Sequence, residues 1–441
     1  MKTDGPAAAL APAAGPSSPP GAAAPPERRW RPRYLMLAPY RLGFFLALVQ
    51  LTAASVWWAL LQASRLGWLP GWSLALPPGL AHAVAMVYGF MPLFFAGFLF
   101  TAVPKWLRVE PWPVAALRPA LLLQALGGLL WLAGAHAGVP LALAGALLAA
   151  VGLAWMAALL WRLIRRSRVP DTLHPRAVGL ALVWGVLCLL GVVWGLATGV
   201  AGLARASVLC GLWGCMVVVF VTMAHRMVPF FTSPAMPFVH GRHAFWLLWL
   251  MWGVAALEVL AVGVEGAGLA PAWARAWQVL RAVLEGAAGL ALCWVARAWA
   301  LAQSLRNRMM AMLHTGFLWL GAALLLAGAG QALALVPGAP ALGLGALHAL
   351  TMGCLGSLLL AMVTRVAGGH SGRALAAERL AWPLFWCLQA ATLLRIAASV
   401  PSRLSAGLLL AAALCWAAAL AWWAVRLGGW CGRLRPDGRP G

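Results

Sequence analysis

Apolar positions in this chain follow neither the period of two expected of half-buried strands nor the one-sided stripe of a soluble helix. They run on for about 20 residues at a time and are broken by short clusters of Pro, Gly and Arg. That is the length an α-helix needs to cross about 30 Å of hydrocarbon. Such windows fall near residues 40–64, 79–103, 116–136, 140–163, 177–200, 203–224, 243–264, 273–300, 310–335, 342–366, 380–399 and 404–426. The pattern predicts an all-α, polytopic membrane protein with about twelve transmembrane helices. Polar side chains inside these windows carry particular weight, because hydrocarbon offers them no water.

Composition agrees with this picture. Of the 441 residues, 63% are hydrophobic and 9% charged, with a mean hydropathy of +0.87; a water-soluble surface does not carry such a balance. A net charge of +23 would suit a nucleic-acid binder, yet the 32 Lys and Arg residues are spread over short connections and form no basic domain. They report topology instead. With a cytoplasmic N-terminus, only Arg65, Arg205, Arg275, Arg281, Arg395 and Arg403 fall toward the outer face, which leaves the other 26 of the 32 on the cytoplasmic half. The positive-inside rule then places both termini in the cytoplasm. Many of the 27 Trp residues, Trp68, Trp72, Trp106, Trp112, Trp161, Trp273 and Trp299 among them, lie near expected helix ends, as anchors in membrane lipid do.

Residues 1–33 are rich in Ala and Pro and lack an apolar core of signal-peptide length, so they read as a disordered cytoplasmic tail. Residues 34–428 form a single transmembrane domain, and 429–441 a short basic tail. Seven of the eight cysteines fall inside expected helices with no Cys-x-x-Cys spacing, as small core residues would.

Two apolar segments open with the same pattern, His82-Ala-Val-Ala-Met86 and His348-Ala-Leu-Thr-Met352. The second and tenth segments both enter the membrane from the outer side, after Pro77-Pro78 and Pro340, so the two histidines lie at one depth with Met86 and Met352 on their helix faces. Imidazoles at one level on different helices can hold one iron from opposite sides, and Gly89, Gly353 and Gly356 would give a planar macrocycle room. The alternative is that each ring bonds a neighbouring hydroxyl or carbonyl.

A second group is expected at the cytoplasmic face: His225 with Met223 and Met227, His314 near the start of the ninth segment, and His370 after the tenth. Imidazole with thioether sulfur suits copper, with Arg226, Arg365 and Arg373 close by as outer partners. These histidines could equally cap helix carbonyls or meet lipid phosphate. His174, His240 and His243, in Arg-containing connections, and His136, at an outer helix end, read as solvated. Arg281 and Glu285, spaced i,i+4 near the middle of the eighth segment, form either an internal structural pair or a proton or substrate element. There is no acid dyad, nucleophile elbow or phosphate-binding Gly loop, which argues against hydrolase and ATPase chemistry.

The chain resembles the NnrS family, membrane proteins of about twelve helices that carry haem and copper and belong to the bacterial response to nitric oxide. The resemblance rests on Pro39-Tyr-Arg-Leu-Gly-Phe-Phe45, on His82 through Met86-Val-Tyr-Gly-Phe90 to Ala96-Gly-Phe-Leu-Phe-Thr-Ala-Val-Pro104, and on His225-Arg-Met-Val-Pro-Phe-Phe-Thr232. It is completed by Leu313-His314, by Ala346-Leu-His-Ala-Leu350 and by Thr364-Arg-Val-Ala-Gly-Gly-His-Ser-Gly-Arg373. Many relatives have a second His and a Glu where this chain has Val84 and Ala85, and His225 replaces a common Gly, so His82 is the only imidazole this second helix offers. The placement of His82 and His348 is also similar to the low-spin haem pair of haem-copper oxidases. The His-x-His and the paired histidines of their oxygen-reducing centre are missing, so oxygen reduction is not expected.

The resemblance implies an inner-membrane protein with haem b and copper that handles nitric oxide or a metal-nitrosyl species by turnover, binding or tolerance. The other classes are a histidine-lined transporter of a small solute or metal complex and a non-enzymatic haem-based sensor or assembly protein. No soluble redox domain is attached, so the sequence identifies no electron donor.

Overall fold

The protein, in a computed structural model, is described over residues 29–235, 245–298 and 307–437. The expected N-terminal tail lies outside these residues as far as residue 28, as do His240 and His243. Twelve helices among the described residues are long and apolar enough to cross a membrane: α1 (Pro39–Arg65), α2 (Pro78–Leu107), α3 (Val114–Ala137), α4 (Val139–Arg166), α5 (Leu173–Ala197), α6 (Ala201–Val228), α7 (Phe245–Gly266), α8 (Pro271–Ala298), α9 (Arg308–Leu333), α10 (Gly345–His370), α11 (Arg379–Ala397) and α12 (Ser405–Cys431). No strand occurs among the described residues. The helices alternate in direction, so α1 begins and α12 ends at one side of the bundle, the terminal end; the opposite side is the far end.

Neighbours in sequence pack as antiparallel pairs, and α1 also packs against α12, which closes the bundle. The central helices are α2 and α10, whose most apolar windows are 89% and 78% buried, against 33% for α11. A helix apolar on all sides belongs in such a place. Small residues bring α1 and α2 together: a Cβ on Gly43 would stand 2.7 Å from the Gly97 backbone, so these glycines permit a backbone approach that larger residues would block.

Arg41, in the first turn of α1, is fully buried. Its Nη1 donates to the carbonyls of Cys431 (2.9 Å) and Arg433 (2.7 Å). Arg31 N donates to Gly432 O at 2.8 Å, and Arg373 Nη2 donates to Leu434 O at 2.9 Å. The end of α12 is thus capped by guanidinium groups, which satisfy carbonyls that have no helical partner. The short basic tail expected from residue 429 begins within α12, which runs to Cys431, and its carbonyls as far as Leu434 accept from Arg41 and from Arg373, just beyond α10.

In three helices the backbone widens from i→i+4 to i→i+5 hydrogen bonding: Ala85–Gly89 in α2, Leu212–Val217 in α6 and Ala349–Gly356 in α10. Such turns leave carbonyls that need other donors and occur often at functional sites. One donor is visible, since Gln124 Nε2 of α3 reaches Tyr88 O at 2.6 Å.

Candidate functional site

Proline sets the site at the far end. Pro78 opens α2 and places His82 in its first turns, while α10 begins at Gly345 and carries His348 in its first turn. Each histidine is followed by a widened segment, and residues of all three such segments line one cavity together with both imidazoles. About 220 Å³ of that cavity is open to the centres of water-sized molecules. Its wall is mostly aliphatic and aromatic, with Trp58 of α1, Trp416 and Trp423 of α12 and one cation, Arg395 of α11.

The imidazoles are held differently. His348 Nδ1 lies 2.9 Å from Leu344 O; a carbonyl only accepts, so Nδ1 carries the hydrogen and Nε2 keeps its lone pair for a ligand. His82 stacks on Trp58, with ring centroids 3.9 Å apart and planes at 18°, and its Nδ1 is buried without a hydrogen-bond partner. Met86 and Met352 line the same cavity. The two rings and both sulfurs expected on one site are therefore brought together.

The expected glycine gap is only partly there. Gly356 faces the cavity, but Gly353 packs against Trp319, where a Cβ would come within 2.5 Å of the indole, and Gly89 is buried on the side of Gln50. Room for a ligand comes from the mixed lining of the wall and not from a stripe of small residues.

The second histidine group is not drawn into one cluster. His225 Nδ1 lies 3.1 Å from His174 Nε2, with the rings stacked at 5.3 Å. His174 was expected in solvent; the first turn of α5 instead folds it under α6, and it is 4% exposed. His370 packs against Tyr40 with the rings tilted at 32° and their centroids 5.1 Å apart. His314 is fully buried, with neither ring nitrogen partnered. Among the described residues no group of three or more His, Cys, Asp or Glu side chains forms a metal-binding cluster. Of the arginines expected beside these rings, Arg226 lies 4.6 Å over the Trp106 ring, Arg365 is half-buried in α10, and Arg373 serves the C-terminal carbonyls. His136 is exposed but held, accepting from Trp57 Nε1 at 2.8 Å and facing Ser73 O at 3.1 Å.

The Arg281–Glu285 pair is larger than the sequence suggested. Arg281 Nη2 meets Glu285 Oε1 at 2.7 Å and Glu258 Oε2 at 3.1 Å, and Nη1 meets Glu265. Glu258 and Glu265 are seven residues apart and thus share one face of α7; that spacing could have linked them to Arg281. Glu258, Glu265 and Arg281 line a second cavity, which shares Leu209, Leu344 and Leu347 with the histidine cavity.

The fold and site define a polytopic helical membrane protein with two imidazoles facing one intramembrane cavity. The family model described as NnrS protein matches residues 34–435. The chain belongs to the NnrS family. No curated protein matches it.

Proposed function

We propose that this protein is an inner-membrane haem protein of the nitric oxide response, with one b-type haem held between α2 and α10 by His82 and His348, and with both tails in the cytoplasm. The observation that carries the reading is the pair of imidazoles on one cavity, His348 oriented by the Leu344 carbonyl and His82 with an orphaned buried nitrogen. The donor set fits the group: neutral imidazole is a standard axial ligand, and a carbonyl behind it fixes ring and tautomer. Stacked Trp58 fixes the plane of His82, and Met86 and Met352 offer soft, adaptable packing. When bound, haem supplies an iron that can take nitric oxide or pass electrons.

The test is spectroscopic. Purified wild-type protein should show a Soret band, and His82→Ala and His348→Ala should each abolish or sharply shift it. Unchanged haem content and spectrum in both variants would overturn the assignment. A deletion strain should grow worse than wild type under nitrosative stress, and His348→Ala should fail to rescue it at normal membrane abundance. Full rescue would take the iron out of the physiology. Transport is the second reading, favoured by the adjoining cavities that share Leu209, Leu344 and Leu347; a transporter purifies without a Soret band.

A further inference from the structure

Six arginines lie toward the far end, and they differ in what surrounds them. Arg65, Arg205, Arg275 and Arg403 are exposed, as cations at a membrane interface should be. Arg281 is buried and answered by three carboxylates. Arg395 is neither. It sits in the last turn of α11, half-buried, and lines the cavity of His82 and His348. Among the described residues no carboxylate pairs with it, because Glu258, Glu265 and Glu285 are all engaged by Arg281.

One side of its guanidinium is fixed. Nη1 donates to Ser399 Oγ at 2.8 Å, and Ser399 Oγ in turn donates to Arg395 O at 3.1 Å. This small ring locks the side chain on the helix that carries it, and among the described residues the Nε and Nη2 hydrogens have no acceptor. A planar, always-charged fork with two free donors suits a carboxylate. A cation in the wall of a cavity that is otherwise almost entirely apolar loses hydration without recovering it from the protein.

We propose that Arg395 is a binding residue for the acidic substituent of the cavity's ligand: a flat apolar body lies between His82 and His348, and a carboxylate on its edge pairs with the guanidinium at the far end. The inference rests on the haem reading above, where a propionate is that carboxylate, and assigns it an orientation. The acidic edge points to the far end and the apolar edge into the bundle.

The test separates the carboxylate from the iron. Protein purified from cells blocked in haem synthesis, so that the cavity is free, is titrated in detergent with metal-free protoporphyrin IX and with its dimethyl ester, followed by porphyrin fluorescence. Wild type should bind the free acid about ten- to a hundredfold more tightly than the diester, the range expected for one hydrogen-bonded ion pair. Arg395→Gln should bring the acid down to the level of the ester, and Arg395→Lys should keep part of the preference. Equal binding of acid and ester by wild type overturns the proposal and needs no variant to fold, as does an undiminished preference in Arg395→Gln. If wild type binds neither porphyrin, no acidic edge is recognised and the proposal falls, while the Soret band of the protein as purified still decides the haem reading.

Discussion

Replacing Arg281 by Met should be among the most destabilising single changes in the molecule. The guanidinium touches two carboxylates that water scarcely reaches: the side chains of Glu258 and Glu285 are 9% and 0% exposed, at 3.1 and 2.7 Å. The third, Glu265, is 58% exposed, and an ion pair in that setting contributes under about 1 kcal/mol. The loss therefore falls on the two buried groups, which Met would leave as uncompensated anions beside one another. Breaking a buried pair in this way costs about 3–5 kcal/mol, or roughly two to three and a half decades in the folded-to-unfolded ratio. Glu258 Oε1 and Glu285 Oε2 lack hydrogen-bond partners even with Arg281 in place. Adding Glu258→Gln and Glu285→Gln to Arg281→Met should recover much of the loss, because the orphaned charge costs more than the missing attraction contributes. Reversible unfolding in mixed micelles, followed by Trp fluorescence, measures all three proteins. A single variant as stable as wild type, or a triple variant no better than the single one, would refute the reasoning.

Gly43→Ala should lower stability by about 1–3 kcal/mol through overpacking, because its new methyl would stand 2.7 Å from the backbone of Gly97. Gly89→Ala, whose nearest neighbour would be Gln50 Oε1 at 4.0 Å, should leave the melting temperature in detergent close to that of wild type. His314→Ala tests the copper expected of the family: elemental analysis should find less copper per protein while the haem content holds, since both ring nitrogens are buried and unpartnered. If copper is absent from wild type grown with ample copper, His314 is a core residue.

The helices were legible because a membrane span is a matter of length and polarity, both local. The eleventh window, 380–399, matches Arg379–Ala397 to within two residues. His82 and His348 line one cavity because each lies in the first turns of a helix that starts at the far end, and a position near a helix start can be counted in the sequence. What failed depends on contacts between helices. Nothing near His174 announces that α5 packs its first turn under α6 and sets the ring against His225. Gly353 reads in sequence as room for a ligand, but Trp319, 34 positions earlier, lies on it. Arg395 passed as one more interfacial cation because its distinguishing property, a cavity wall without a counter-charge, exists only once α2, α10 and α11 are assembled.

The widened turns were also invisible, and they bear most directly on the site. In a regular α-helix a residue four positions on overshoots a full turn by about 40°, so a His and a Met at that spacing splay across a wall. A wider turn takes back part of the overshoot. Ala85–Gly89 begins three residues after His82 and contains Met86, and Ala349–Gly356 begins directly after His348 and contains Met352. In both helices the widened segment thus takes in the methionine four positions after the histidine, and all four side chains line the one cavity. It also frees carbonyls, and Gln124 answers one at Tyr88. Because α3 contributes no residue to that wall, Gln124 acts on the site only through the backbone of α2. Gln124, fully buried on α3, is thus joined to the helix of His82 and Met86 by a single bond to the Tyr88 carbonyl.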